Sequence, residues 1–138
     1  MNIKFALGGH DYFPGEFVQD VLQVEKNDYP DILRAYRDGN FYTTCGDLIR
    51  DPLFRVDCKN GLRKMHLAFD LNGEMEKVEV VSDGKVIAEF TDFSDRFDQE
   101  FSVPAGKYYR VRGTGKMRQR KYTEGEFEPV FLLNPIYF

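Results

Sequence analysis

The sequence predicts a mainly β fold, an immunoglobulin-like antiparallel β-sandwich preceded by a short strand and one helix. Three observations carry that expectation. After Gly39 the apolar residues alternate with polar ones at a period of two over most of the remaining chain. The pairs Asn60-Gly61 and Asp83-Gly84 interrupt that pattern where a two-residue hairpin turn belongs. One segment alone, from Tyr29 to Asp38, carries the start, stripe and stop of a helix.

Taken in order, Ile3, Phe5 and Leu7 alternate with Lys4 and Ala6 as a short strand, and Gly8-Gly9 breaks it. Phe17 to Val24 fits a strand in part and also fits one helical turn; the extended reading is preferred. Asp28 caps the helix, Pro30 occupies its first turn where no donor is missed, and Gly39 supplies a left-handed stop. Ile32, Leu33 and Tyr36 are expected to form its buried stripe. Phe54, Val56 and Cys58 lead into Asn60-Gly61, and Met65, Leu67, Phe69 and Leu71 lead out. Val78 and Val80 approach Asp83-Gly84, with Val86, Ala88 and Phe90 beyond it, and the turn is expected to be type I′. Phe97, Phe101 and Val103 then precede a Pro104-Ala105-Gly106 turn and Tyr109 with Val111, and a last strand is expected from Val130 to Phe138. Seven or eight strands at this spacing suit two packed sheets. The composition shifts between Gly39 and Pro52, which divides the chain into an N-terminal strand-loop-helix segment, 1–46, and a sandwich domain, 47–138.

A chain of 138 residues suits one core. No apolar run is long enough for a membrane helix. Met1 to Leu7 hold a single Lys and lack the apolar stretch of a secretory signal, so a cytoplasmic location is expected. Cys45 and Cys58 have no C-x-x-C spacing, and free thiols are preferred over a disulfide. The net charge of −4 disfavours wholesale nucleic-acid binding, so any anion site must be local.

The run Leu33-Arg34-Ala35-Tyr36-Arg37-Asp38-Gly39-Asn40-Phe41-Tyr42-Thr43-Thr44-Cys45-Gly46 resembles the junction segment of metal-dependent hydrolases of the polymerase and histidinol phosphatase (PHP) superfamily. In the branch with a C-terminal β domain, the last barrel helix ends in Gly and an aromatic-Thr-x-Gly strand enters that domain. Val78 to Val86 resembles the family's hairpin, Tyr109-Arg110-Val111-Arg112 a later strand, and Asn134-Pro135-Ile136-Tyr137 its closing motif. The resemblance covers residues 28 to 138. It implies that 1–46 looks like the end of a barrel and that the chain is the tail or descendant of such a hydrolase. It also implies a metal site drawn from many histidines, and this chain has two. His10-Asp11-Tyr12 sits where the family's last Asp-x-His is expected, in inverted order and with no histidine after the Asp.

Several candidate sites follow. His10 and Asp11, with Glu16 and Asp20 nearby, offer imidazole and carboxylate suited to Zn or Mn, against the plainer reading of a polar turn-rich loop. Arg110, Arg112, Lys116, Arg118, Arg120 and Lys121 form a basic hairpin with tyrosines beside it, the composition of an anion or single-strand binder. Glu124, Glu126 and Glu128 are expected to pair with those cations across the hairpin. Gly113-Thr114-Gly115-Lys116 is not a phosphate loop, since Met117 replaces the required Ser or Thr. Asp92, Asp95, Asp98 and Glu100 form an acidic cluster without the spacing of a calcium loop, and His66 is expected at a strand rim.

Three functions compete. The first is a non-catalytic accessory or binding module with no cofactor. The second is a hydrolase fragment using Zn or Mn, completed by another chain, with His10 and Asp11 contributed from here. The third is an anion or nucleic-acid binder using 110–121. A protein partner or self-association through Ile32, Leu33, Tyr36 and the N-terminal strand is expected from the first.

Overall fold

A computed structural model describes residues 15–138 together with the backbone of strand 2–6. Its elements in chain order are β1 (Asn2–Ala6), β2 (Gln19–Gln23), α1 (Tyr29–Asp38), β3 (Phe41–Cys45), β4 (Ile49–Lys59), β5 (Leu62–Leu71), β6 (Met75–Ser82), β7 (Lys85–Phe90), β8 (Arg96–Val103), β9 (Tyr108–Gly115), β10 (Arg118–Gln119), β11 (Glu126–Phe127), β12 (Val130–Leu133) and β13 (Ile136–Tyr137).

The strands form a mainly antiparallel β, sandwich-like arrangement. An eight-stranded sheet runs β1-β2-β3-β12-β9-β6-β7, with β13 pairing β9 from the side. A three-stranded sheet, β4-β5-β8, lies over it, and β10-β11 is a small separate ladder. Strand β3 pairs with β12, so hydrogen bonds of the large sheet join the first 46 residues to the rest.

Local chemistry explains the hairpins. Asn60 and Gly61 have φ of 53° and 75°, and Asp83 and Gly84 have 47° and 78°. Positive φ at both central residues is the type I′ requirement, and its twist matches that of the flanking strands. The first hairpin runs in register from Lys59↔Leu62 to Leu53↔Ala68, then shifts between Arg50 and Leu53. The second shifts between Val80 and Val81.

Helix α1 has the expected bounds: the Asp28 carboxylate accepts the Asp31 N–H at 3.0 Å, and Gly39 closes it at φ 74°. Its inward face is a correction to the expected stripe. Asp31 and Ala35 are buried and Ile32 is half-buried, whereas Leu33 and Tyr36 are exposed. Asp31 is held inward because its carboxylate also accepts the Lys26 N–H at 3.0 Å, which rotates the seated face by about one residue. The small Ala35 lets the helix approach Leu22 and Val24, with Ile32 and Phe41 closing that cluster.

The main core lies between the two sheets. Met65, Leu67 and Phe69 from β5 face Val78, Val80, Tyr109, Val111 and Phe131 from the large sheet, all at or near zero exposure. Phe69 stacks on Phe97 at 5.0 Å and meets Phe131 edge-on at 5.6 Å across the sheets, a geometry that adds to area burial. Phe131 also lies against Gly113, its cross-strand partner, where a Cβ would collide with the ring.

The Pro104-Ala105-Gly106 turn carries the chain between sheets, since β8 pairs with β5 and β9 pairs with β6 and β12. One further correction concerns the expected last strand, which is two, because Asn134-Pro135 breaks the ladder between β12 and β13.

At the crossover, the buried Tyr109 hydroxyl donates to Pro104 O at 2.5 Å and accepts from Arg63 at 2.9 Å. Tyr109→Phe leaves both partners in place without it. We expect a loss of about 1–3 kcal/mol, read as a lower urea midpoint with an unchanged m value.

Candidate functional site

The six cations of the basic hairpin do not share one surface. Arg112 and Arg110 alternate outward from β9, where Arg112 meets Glu79 of β6 at 2.7 Å. Lys116 meets Glu74 at 2.8 Å. Hydrogen bonds from Arg112 and Lys116 hold the Glu79 and Glu74 carboxyls below the usual range. The expected pairing with Glu124, Glu126 and Glu128 is therefore replaced for these two cations by pairing with β6 and the turn before it. The reason is register: β9 lies beside β6 in the large sheet, whereas the ladder after it opposes Arg118 to Phe127 and Gln119 to Glu126. Gln119, not a cation, donates to Glu126, at 2.5 Å.

Arg118, Arg120 and Lys121 instead converge on the end of the N-terminal segment. Arg118 donates to Gly46 O at 2.7 Å, Arg120 lies over the Phe127 ring at 5.5 Å, and the Lys121 N–H donates to the Glu16 carboxylate at 2.6 Å. Glu16, Gly46, Asp47, Arg118, Lys121 and Phe127 line a cleft of about 440 Å³. Acids and bases alternate around it, so it presents no single sign of charge for a polyanion to follow. Cys45 is buried nearby; burial pushes its thiol up, with Arg120 and Arg118 pulling the other way. A raised thiol is a poor nucleophile at neutral pH.

The remaining expected sites are dispersed. His10 and Asp11 lie outside the described residues. Glu16 and Asp20 serve different neighbours: Glu16 holds Lys121, and Asp20 accepts from Thr43 at 2.8 Å. His66 sits half-buried on β5, its Nε2 2.8 Å from Asp98. Asp98 also takes Arg96 at 3.3 Å, Arg96 reaches Asp70 at 2.7 Å, and Lys64 meets Glu100 at 3.3 Å. The bond from His66, then that from Arg96, holds the Asp98 carboxyl below its usual value. The acidic cluster is thus divided between a cross-strand charge ladder on the small sheet and the exposed Asp92 and Asp95 of the preceding loop. Among the described residues, no three His, Cys, Asp or Glu side chains are grouped to hold a metal ion. Cys45 and Cys58 are both free, Cys58 being exposed.

The outward stripe of α1 contains Leu33 and Tyr36, which the sequence named as a partner surface, and Tyr29, which it did not. A cleft of about 520 Å³, where the C-terminus of α1, strand β4 and the Asn134-Pro135 break meet, was not singled out by the sequence. Asn134 donates to Gly39 O at 2.7 Å, which ties the strand break to the helix end. The Asn-Pro pair was visible in the sequence as a closing motif, but its distance from Gly39 along the chain hid the cleft.

The chain matches no known protein family, no curated protein and no solved structure with which it was compared. Among the described residues, no helix is long and apolar enough to cross a membrane.

Tyr42, at the back of the larger cleft, gives a pH test of this region. It is buried and donates to Ile49 O at 3.2 Å. Burial, with the Asp47 and Asp51 carboxylates adding to it, pushes its phenol up to about 12. The folded state thus favours the neutral phenol. Its stabilising share is complete below the ordinary tyrosine value of about 10 and disappears as the pH rises through 12. In denaturant titrations the wild type should lose stability across that window faster than Tyr42→Phe, by about a factor of ten in folding constant per pH unit.

Proposed function

We propose that the chain is a non-catalytic accessory module, a β-sandwich resembling the C-terminal domain of PHP-type hydrolases, that packs on another protein. One observation carries the reading. Tyr29, Leu33 and Tyr36 recur at intervals of four and three, which places them on one helical face, and all three are exposed, Tyr29 at 72% and Leu33 at 49%. The opposite face of α1 is seated on β2. A helix apolar on both sides needs a second cover, and exposed apolar patches of this kind mark interfaces. Val18, 57% exposed just before β2, adds to the apolar surface of the N-terminal segment.

The immunoglobulin-like form and the cytoplasmic location belong to the same proposal. Support for the former comes from Tyr109, which stands at the start of a strand just after a sheet-to-sheet crossover and bonds back to the backbone five residues upstream. That bond is the tyrosine-corner geometry of immunoglobulin-like sandwiches. The basic-hairpin alternative draws less support, since Arg112 and Lys116 are already matched by Glu79 and Glu74.

With no partner supplied, the stripe's nearest available cover is a second copy of the chain. Sedimentation velocity over a rising concentration series should show reversible self-association. Leu33→Glu should return the protein to monomer while changing stability by no more than about 0.5 kcal/mol, as expected at an exposed position. A wild type that stays monomeric at the highest concentrations counts against the interface.

A further inference from the structure

We infer that the cleft between α1, β4 and the Asn134-Pro135 break binds a neutral, hydroxyl-rich ligand, a saccharide. Its volume of about 520 Å³ falls within the usual range for small-ligand sites, and its lining combines two kinds of group. Phe41, Phe54 and Tyr137 supply rings, and Gln23, Asn40 and Asn134 supply amides. An aromatic face accepts the C–H face of a sugar ring. A side-chain amide both donates and accepts, which matches a hydroxyl that does both.

The state of the polar groups narrows the ligand. Asn134 spends an N–H on Gly39 O and Gln23 spends one on Pro52 O at 3.3 Å, so the structure holds both amides in place while their oxygens take no bond among the described residues. The Asn40 side chain has no partner among the described residues. Asp38 is the one charged side chain among the described residues lining the cleft, and Arg37 already meets it at 3.0 Å. Nothing there selects an anion or a cation. The Tyr137 ring is 74% exposed and stands as a platform at the rim.

A peptide would be the other occupant to satisfy amides and rings, and the backbone argues against it. Strand β4 offers no regular edge at this point: Asp51 has φ of 48°, Pro52 has no N–H, and the ladder shifts between Arg50 and Leu53. The nearby carbonyls of Pro52 and Gly39 are already taken by Gln23 and Asn134. An added strand would find few groups to pair with.

The test is a set of amide ¹H–¹⁵N spectra of the full chain titrated to millimolar levels with maltotriose, cellotriose, xylotriose and triacetylchitotriose, with tetra-alanine as peptide control. At least one saccharide should move the signals of Gly39, Asn40, Phe41 and Tyr137. Tyr137→Ala should weaken that binding by about tenfold, the scale of one lost ring contact, and Tyr137→Phe should restore it. Tyr137 is exposed, so both variants should fold, and the same spectra report whether they do. The proposal fails if none of the four sugars shifts these signals, if the shifts map elsewhere, if Tyr137→Ala binds as the wild type does, or if tetra-alanine alone binds. The cleft is separate from the outward stripe of α1, so sugar binding by a monomer, or association without sugar binding, separates this proposal from the docking one.

Discussion

The hydroxyl of Tyr109 sits where the chain leaves the small sheet at β8 and enters the large one at β9. It donates to Pro104 O and accepts from Arg63, and Arg63 in turn donates to Gly106 O and lies over the Phe138 ring at 4.4 Å. One buried phenol therefore ties together the crossover turn, strand β5 of the opposite sheet and the end of the chain. The neighbouring residues extend the knot: the Lys107 N–H donates to Asp83 at 3.1 Å, and the Tyr108 hydroxyl accepts the Gly84 N–H at 2.9 Å. The tip of the second hairpin is thereby fixed to the crossover. A turn that changes sheets leaves its own carbonyls without ladder partners. Tyr109 and Arg63 supply the missing donors.

From that anchor the layers follow. Fixing β8 against β5 and β9 against β6 sets the two sheets face to face, and Phe69, Phe97 and Phe131 interlock in the space between them. Gly113 leaves room for the Phe131 ring on the neighbouring strand. At the other end of the large sheet, β2 is buried on both faces, with Val21 in the main core and Leu22 under α1. The helix is thus an outer layer over one part of the sheet.

The same packing assigns the charges. On the outer faces of both sheets, acids and bases stand on adjacent strands and neutralise one another, as in Glu79 with Arg112 and Asp70 with Arg96. Exposed pairs such as Asp70 with Arg96 add little to stability. The Tyr29-Leu33-Tyr36 stripe of α1 and the amide-lined cleft at its C-terminus offer apolar and neutral groups instead.

Sequence alone determined the features that depend on neighbours along the chain. The helix bounds follow from Asp28, Pro30 and Gly39, and the two hairpins from Asn60-Gly61 and Asp83-Gly84, because capping and turn conformations are set within a few residues. Period-two alternation likewise announced the β character. Tertiary structure decided what depends on distant pairing. The seated face of α1 turned on the packing of Ala35 and Ile32 against Leu22 and Val24, the partners of the cations on which strand lay beside β9, and the cleft on the meeting of Gly39 with Asn134. In each case several partners are chemically equivalent in one dimension, and only the order of strands in the sheets selects among them.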